Sequence, residues 1–272
     1  MTIIRPKKSI GQHFLKDLGI AQRIAETLSA YHGLPVLEIG PGTGVLTSFL
    51  LDEGHNLSVV EIDMASVKYI EQKFPKLENR IHVEDFLKMK LENIYNDKFC
   101  VIGNFPYYIS SQIFFKVLDY REQVVCCSGM IQKEVAERLA ASPGSRAFGI
   151  LSALIQPWYD VEYLFTVSEK VFDPPPKVKS AVIRMTRNSR TDLGCEEALY
   201  RRVVKTSFNQ RRKTLRNSMK PLLGKDCPCL ARPVFDKRPE QLSIEQFIEL
   251  TLIADNYLKE KDTEPAHKQN GL

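Results

Sequence analysis

Along the first two-thirds of the chain, short apolar runs rich in β-branched residues alternate with stretches of helical periodicity. Residues 36–39 predict a strand and 45–51 a helix, then 57–62 a strand and 65–74 a helix. Residues 80–83 and 99–102 predict two more strands. A helix follows near 112–118 and a strand near 123–131. Strands and helices in alternation imply βαβ units and a mostly parallel sheet covered on both faces. Residues 178–185 alternate in part and follow Pro174-Pro175-Pro176, which predicts a late strand, antiparallel, at the end of the sheet.

Beyond Arg190 the strand signal stops. Residues 196–208, 210–219 and 243–257 predict helices, with Pro221, Pro228 and Pro233 between them. The tail, 259–272, is polar and carries almost no large apolar residue, so disorder is expected there. The division that follows is a catalytic domain at 1–190, a helical domain at 191–258 and a disordered tail at 259–272. No internal repeat is present. No apolar run approaches the roughly 18 residues of a membrane span, and no apolar segment follows the basic residues near the start, which argues against a secretory signal.

With 43% apolar and 26% charged residues, the composition is that of an ordinary soluble globular protein. The net charge of +5 hides an asymmetry. Residues 170–220 hold fourteen Lys and Arg against four acids, and the first sixteen residues hold four bases and no acid. The remainder carries a net charge of −9. Positive charge concentrated on an acidic body points to a polyanionic partner rather than to a solvated surface of mixed sign. The six cysteines form no C-x-x-C pair. Cys126 and Cys127 lie in an apolar stretch and are expected in the core. Cys227-Pro228-Cys229 is a weak metal motif without further ligands nearby. Free thiols and a cytoplasmic location are expected, with no metal.

The strand at 36–39 runs into Glu38-Ile39-Gly40-Pro41-Gly42-Thr43-Gly44 and then a helix. Glycines there allow a tight turn and close approach of a ligand to the backbone. A dinucleotide fingerprint would need glycine where Val45 stands, which argues against a nicotinamide-dependent oxidoreductase. The E-x-G-x-G-x-G form looks like the first motif of class I methyltransferases. The next strand ends at Glu61, whose carboxylate can accept two hydrogen bonds from a ribose diol. The third ends near Asp85, which can accept from an exocyclic adenine amine. Asp63 is read as the cap of the following helix.

The fourth strand ends Asn104-Phe105-Pro106-Tyr107-Tyr108-Ile109-Ser110. An exocyclic aromatic amine is a poor nucleophile because its lone pair is delocalised into the ring. Two acceptors aimed at its N–H groups, the Asn104 side-chain oxygen and the Phe105 carbonyl, would localise that pair. Tyr107 offers a ring on which an extruded base can stack.

This segment resembles the N-[LI]-P-Y-x-I-S motif of the KsgA/RsmA family of rRNA adenine N6,N6-dimethyltransferases. Three further stretches are similar to that family in the same order. They are Lys8-Ser9-Ile10-Gly11-Gln12-His13-Phe14-Leu15, Val171-Phe172-Asp173-Pro174-Pro175-Pro176-Lys177-Val178, and Phe208-Asn209-Gln210-Arg211-Arg212-Lys213-Thr214-Leu215-Arg216-Asn217. The resemblance covers about residues 5 to 257. It implies an α/β, class I methyltransferase, Rossmann-like sheet with a small C-terminal helical domain. It also implies S-adenosyl-L-methionine as cofactor, 16S rRNA in the small ribosomal subunit or its precursor as partner, and a role in small-subunit biogenesis. The activity implied is dimethylation of two adjacent adenosines in the 3′-terminal hairpin.

By the same resemblance His13, Leu15, Gly40, Glu61, Asp85 and Asn104 would contact the cofactor. Tyr107 and Phe172 would face one another across the target adenine. Two positions depart from the commonest pattern: Phe105 replaces an aliphatic residue, and Tyr108 stands where Asn or His is frequent. For RNA, Arg212, Arg216 and Lys220 recur every four residues and so are expected on one helix face, widened by Arg211 and Lys213. A monomer with no membrane partner is expected. The competing readings are an erythromycin-resistance methyltransferase acting on a large-subunit adenine, and a non-catalytic RNA-binding factor that keeps the fold.

Overall fold

The computed structural model describes residues 12–263. The chain forms two compact units, one made of the residues up to 137 together with 158–188, the other of 138–157 together with those from 189 onward. The sequence places the whole of 138–157 in the first domain, whereas here that segment belongs with the helices of the second.

Among the described residues the first unit holds nine strands. They are β1 (Phe14–Leu15), β2 (Pro35–Ile39), β3 (Asn56–Glu61), β4 (Ile81–Val83), β5 (Phe99–Asn104), β6 (Val124–Gln132), β7 (Tyr159–Val167), β8 (Phe172–Asp173) and β9 (Ser180–Arg187). Seven form one sheet in the order β4-β3-β2-β5-β6-β9-β7, and β1 pairs with β8 in a separate ribbon. Pairing is parallel from β4 through β6 and antiparallel for β6–β9 and β9–β7. Apart from Glu38 and Asn104 near their carboxyl ends, β2 and β5 are apolar because both their faces are covered; Val36, Leu37, Cys100, Val101 and Ile102 have no exposed surface. The sequence signal for β9 as an antiparallel strand holds, but β7 lies outside it and forms the edge of the sheet. In β7 only Tyr159 and Val167 are buried, so its pattern lacks the continuous apolar run that marks its neighbours.

Four helices of this unit follow the strands or precede them: α1 (Leu18–Ala25), α2 (Val45–Asp52), α3 (Met64–Lys73) and α4 (Ser110–Asp119). A fifth, α5 (Lys133–Leu139), runs across the boundary between the units. Asp17 caps α1, its carboxylate accepting from the Ile20 amide at 3.0 Å. Asp63 caps α3 through the Ala65 amide at 3.4 Å and the Ser66 hydroxyl at 3.2 Å. Gly103 of β5 and Gly129 of β6 lie side by side in register. A Cβ on Gly129 would stand 2.2 Å from the Gly103 carbonyl oxygen and 2.8 Å from the Phe105 ring. Both glycines are therefore required by close approach next to Asn104.

The second unit contains α6 (Ile150–Ile155), α7 (Glu197–Asn209), α8 (Leu215–Ser218), α9 (Lys220–Leu223) and α10 (Ile244–Thr263). Helix α10 continues past 259, where disorder is expected; the residues from 264 onward lie outside the described ones. The single helix expected over 210–219 is not formed. Helix α7 ends at Asn209, and Thr214 is extended (φ −67°, ψ 157°) before α8 begins. Cys227 and Cys229 are joined by a disulfide, so the expectation of free thiols throughout is corrected at this pair. No helix among the described residues is long and apolar enough to cross a membrane.

Candidate active site

The carboxyl ends of the central parallel strands open into one cavity in the first unit. It is lined by the arm residues Gln12 to Leu15, the turn after β2, Glu38, Glu61 and Ile62, and Asn104 to Tyr108. This is where a parallel sheet whose strand order reverses at its centre places ligands. The turn after β2 is built by Gly40, Gly42 and Gly44, all at positive φ. At Gly44 a Cβ would stand 2.3 Å from the Phe74 ring. The turn can therefore close down on α3 only with glycine there.

Two carboxylates share this cavity. Glu61 is buried, and its Oε1 accepts from the amides of Ile62 and Asp63, each at 2.8 Å. Burial pushes its carboxyl above the ordinary value, and those backbone amides act in the opposite sense. Glu38 is more deeply buried, and Thr47 donates its hydroxyl to Oε2 at 2.7 Å. Burial, with the nearby Glu61 charge adding to it, pushes Glu38 up to about 8, and the Thr47 hydrogen bond opposes the shift. Two buried carboxyl groups, with no Lys or Arg paired to either among the described residues, suit a ligand that carries hydroxyl donors. Glu38 opens the glycine motif, yet nothing in the sequence marks it as functional apart from that position.

Asn104 sits at the end of β5, half-buried, and its Nδ2 donates to the His13 carbonyl at 3.2 Å. That contact engages the amide donor and leaves the side-chain oxygen as the acceptor available to the cavity. The Phe105 amide donates to the Met130 carbonyl at 3.0 Å, which holds the turn onto β6. The Phe105 ring is buried and meets Phe114 edge-on at 5.9 Å. A large ring in place of an aliphatic residue is thus absorbed by the core. Tyr107 is half-buried. Its hydroxyl and that of the buried Ser180 are 2.5 Å apart, and its ring stacks on His13 at 5.7 Å with a 29° tilt. Tyr108 is 58% exposed at the cavity rim.

His13, Leu15, Gly40, Glu61, Asn104 and Tyr107 are thus brought together as expected. Phe172 is not. Its side chain has no exposed surface and belongs to the core that includes Leu15, Val167 and Val182, so it does not line the cavity. Asp85 is also absent from the cavity wall. Its Oδ1 accepts from the Leu87 amide at 2.9 Å, and its carbonyl accepts from Lys88 and Met89. It nonetheless lies close enough for its charge, like that of Glu61, to raise the Tyr108 hydroxyl, secondary to burial. The loop that carries Asp85 is clamped by Lys116 of α4, whose ammonium donates to the carbonyls of Phe86, at 2.5 Å, and Met89. Neither Lys116 nor Ser180 is found by sequence reading, since a lone lysine on a helix and a serine opening a strand carry no motif.

The expected basic face is corrected with the helix that was to carry it. With Thr214 extended, Arg212 lies before α8, and Arg216 and Lys220 fall on two separate short helices, α8 and α9. Arg211 donates to the carbonyls of Arg146 and Phe148, the latter at 2.9 Å. Arg216 pairs with Asp236 at 2.5 Å, and Lys220 donates to Asn217 at 3.1 Å. Arg212 and Lys213 are exposed.

A family model, Ribosomal RNA adenine dimethylase, matches residues 4–254. The chain is 71% identical over 261 residues to the Ribosomal RNA small subunit methyltransferase A of Parabacteroides distasonis, covering 96% of this chain and 98% of that one. It is 61% identical over 260 residues to the protein of the same name from Bacteroides thetaiotaomicron, covering 95% and 97%. Among solved structures, it is similar to a dimethyladenosine transferase from Plasmodium falciparum with a TM-score of 0.76 and 25% identity, covering 90% of this chain and 98% of that one. The 23S rRNA methyltransferase ErmE is similar with a TM-score of 0.67 and 26% identity, covering 89% and 99%.

Proposed function

Because the chain belongs to the ribosomal RNA adenine dimethylase family, we propose that it methylates the N6 amines of two adjacent adenosines in the 3′-terminal hairpin of 16S rRNA. S-adenosyl-L-methionine supplies an electrophilic methyl group on a sulfonium when bound. The observation that carries the reading is the pairing of two acidic strand ends with Asn104-Phe105-Pro106-Tyr107 around one cavity. Glu61 binds the ribose hydroxyls, its carboxylate oriented by the backbone amides of Ile62, Asp63 and Gly42. The Asn104 side-chain oxygen and the Phe105 carbonyl accept from the target amine and localise its lone pair toward the methyl donor. Once methylated, the nitrogen is acidic and releases its proton to solvent, so no strong base is required of the site. Tyr107 stacks on the extruded adenine, its hydroxyl fixed by Ser180.

The large-subunit alternative shares this fold, but its representative is 26% identical to the chain, against 71% for the small-subunit relative. The test is incubation with labelled S-adenosyl-L-methionine and separated ribosomal subunits that lack the modification. Label is expected in the small subunit at two adjacent adenosines, two methyl groups on each. Label confined to the large subunit would overturn the proposal.

A further inference from the structure

The stretch from Pro174 to Ser180 enters the catalytic story only through its ends, and its middle has no assigned role. At one end the Pro174 carbonyl accepts from His13 Nδ1 at 2.7 Å, and Pro176 is buried. At the other, Ser180 is fully buried against the Tyr107 hydroxyl, and the Lys179 carbonyl accepts from the Lys133 amide at 2.9 Å. Three consecutive prolines fix φ along the approach. Between the buried Pro176 and the buried Ser180 stand three exposed residues, Lys177, Val178 and Lys179, with Val178 43% exposed. Neither lysine has an ion-pair partner among the described residues. The contrast with Arg211, Arg216 and Lys220, all engaged within their own unit, is direct.

A cation, an aliphatic side chain and a second cation are thus held on a braced loop, one residue from the partner of Tyr107. A nucleotide extruded into the Tyr107 site carries a phosphate on each side and leaves behind a neighbouring base with one face uncovered. We infer that Lys177 and Lys179 neutralise the phosphates flanking the target nucleotide and that Val178 packs against the neighbouring base. Apolar side chains set against unstacked bases and cations on the adjoining phosphates are a recurrent pairing in nucleic-acid recognition. The braced ends matter because a preformed loop loses little conformational entropy when the RNA docks. This assignment rests on the Tyr107 site being the adenine pocket.

The test measures binding of unmodified small ribosomal subunits at several salt concentrations. The double variant Lys177→Gln, Lys179→Gln is expected to bind at least tenfold more weakly near physiological salt. Its log–log salt slope should fall by about 1.4, since each single-strand phosphate contact contributes about 0.7. Its S-adenosyl-L-methionine affinity should match that of the wild type. An unchanged slope in a variant with normal cofactor binding overturns the assignment. Should the double variant lose cofactor binding, the two single variants decide, each expected to lower the slope by about half as much. Val178→Ala should leave the slope unchanged and slow single-turnover methyl transfer several-fold at saturating particle concentration; an unchanged rate removes Val178 from the contact. Wild-type protein that neither binds nor methylates these particles would overturn the functional reading itself, a result distinct from any change in slope.

Discussion

At the strand ends of the first unit Glu61 holds two backbone amides, Asn104 holds the His13 carbonyl and Tyr107 holds Ser180, yet each still lines the cavity. In the segment from Arg211 to Lys220 the cations Arg211, Arg216 and Lys220 are likewise held, but by contacts that engage the charged group itself. The pocket uses one atom of a side chain to fix it and leaves another for the ligand. The basic segment spends N–H groups of Arg211, Arg216 and Lys220 on its own unit, whereas Arg212 and Lys213 face solvent. A polar group becomes a binding group when its structural contact and its functional contact fall on different atoms.

Substitutions can break that contrast. The largest effect is expected at Asn104, where the amide nitrogen is structural and the oxygen would act on the target amine. Asn104→Ala should cut single-turnover methyl transfer by roughly two to three orders of magnitude, as for loss of one preorganised polar group. RNA affinity should hardly change, and a rate within a few-fold of wild type would remove Asn104 from the chemistry. Glu61→Ala should weaken S-adenosyl-L-methionine binding by about 1.5–3 kcal/mol in calorimetry, the range for hydrogen bonds to a charged group.

Glu38 sharpens the comparison through pH. Its carboxyl sits near 8 in the fold against an ordinary 4.5. The acid form is therefore favoured on folding. That contribution is complete below pH 4.5 and is lost as pH rises through 8. Glu38→Gln should flatten the decline in ligand-free stability across this window, by on the order of several degrees in Tm. Parallel wild-type and variant melting curves from pH 5 to 8.5 would show that the carboxyl is not held protonated. The smallest effects belong to the basic segment. Arg212→Ala with Lys213→Ala should lower the salt slope for small-subunit binding without altering Tm. Arg216→Ala should leave the slope intact and cost about 1 kcal/mol of stability or less, as exposed ion pairs do.

The difference between these regions also explains what the sequence reveals. Motifs at strand ends are short, and the backbone that follows a buried strand has few choices. Gly44, Glu61 and Asn104 therefore sit where a reading of their immediate neighbours puts them. A helix face is an argument about ten consecutive residues, and one extended residue, Thr214, is enough to void it. Phe172 lies outside the cavity wall for another reason. Its motif position is fixed in sequence, but the direction of its ring depends on β8 pairing with β1, a contact 157 residues away that no local pattern announces. Strand β7 is missed because an edge strand half open to solvent alternates weakly.

That pairing of β1 with β8 has a thermodynamic meaning of its own. Phe14 and Leu15 on one strand line the cavity, and Phe172 and Asp173 on the other lead straight into the proline loop and its two lysines. The ribbon comprises only two residue pairs, but Leu15 and Phe172 are buried in the core, so arm and loop are fixed to one another. A ligand that shifts the ribbon from the cavity side therefore also shifts the loop, and a ligand that draws on the loop moves the arm. Linkage makes such an effect reciprocal: the factor by which cofactor tightens RNA binding must equal the factor by which RNA tightens cofactor binding. Under the proposed function the two substrates share this one ribbon of backbone, and the order in which they arrive changes the path but not the coupling between them.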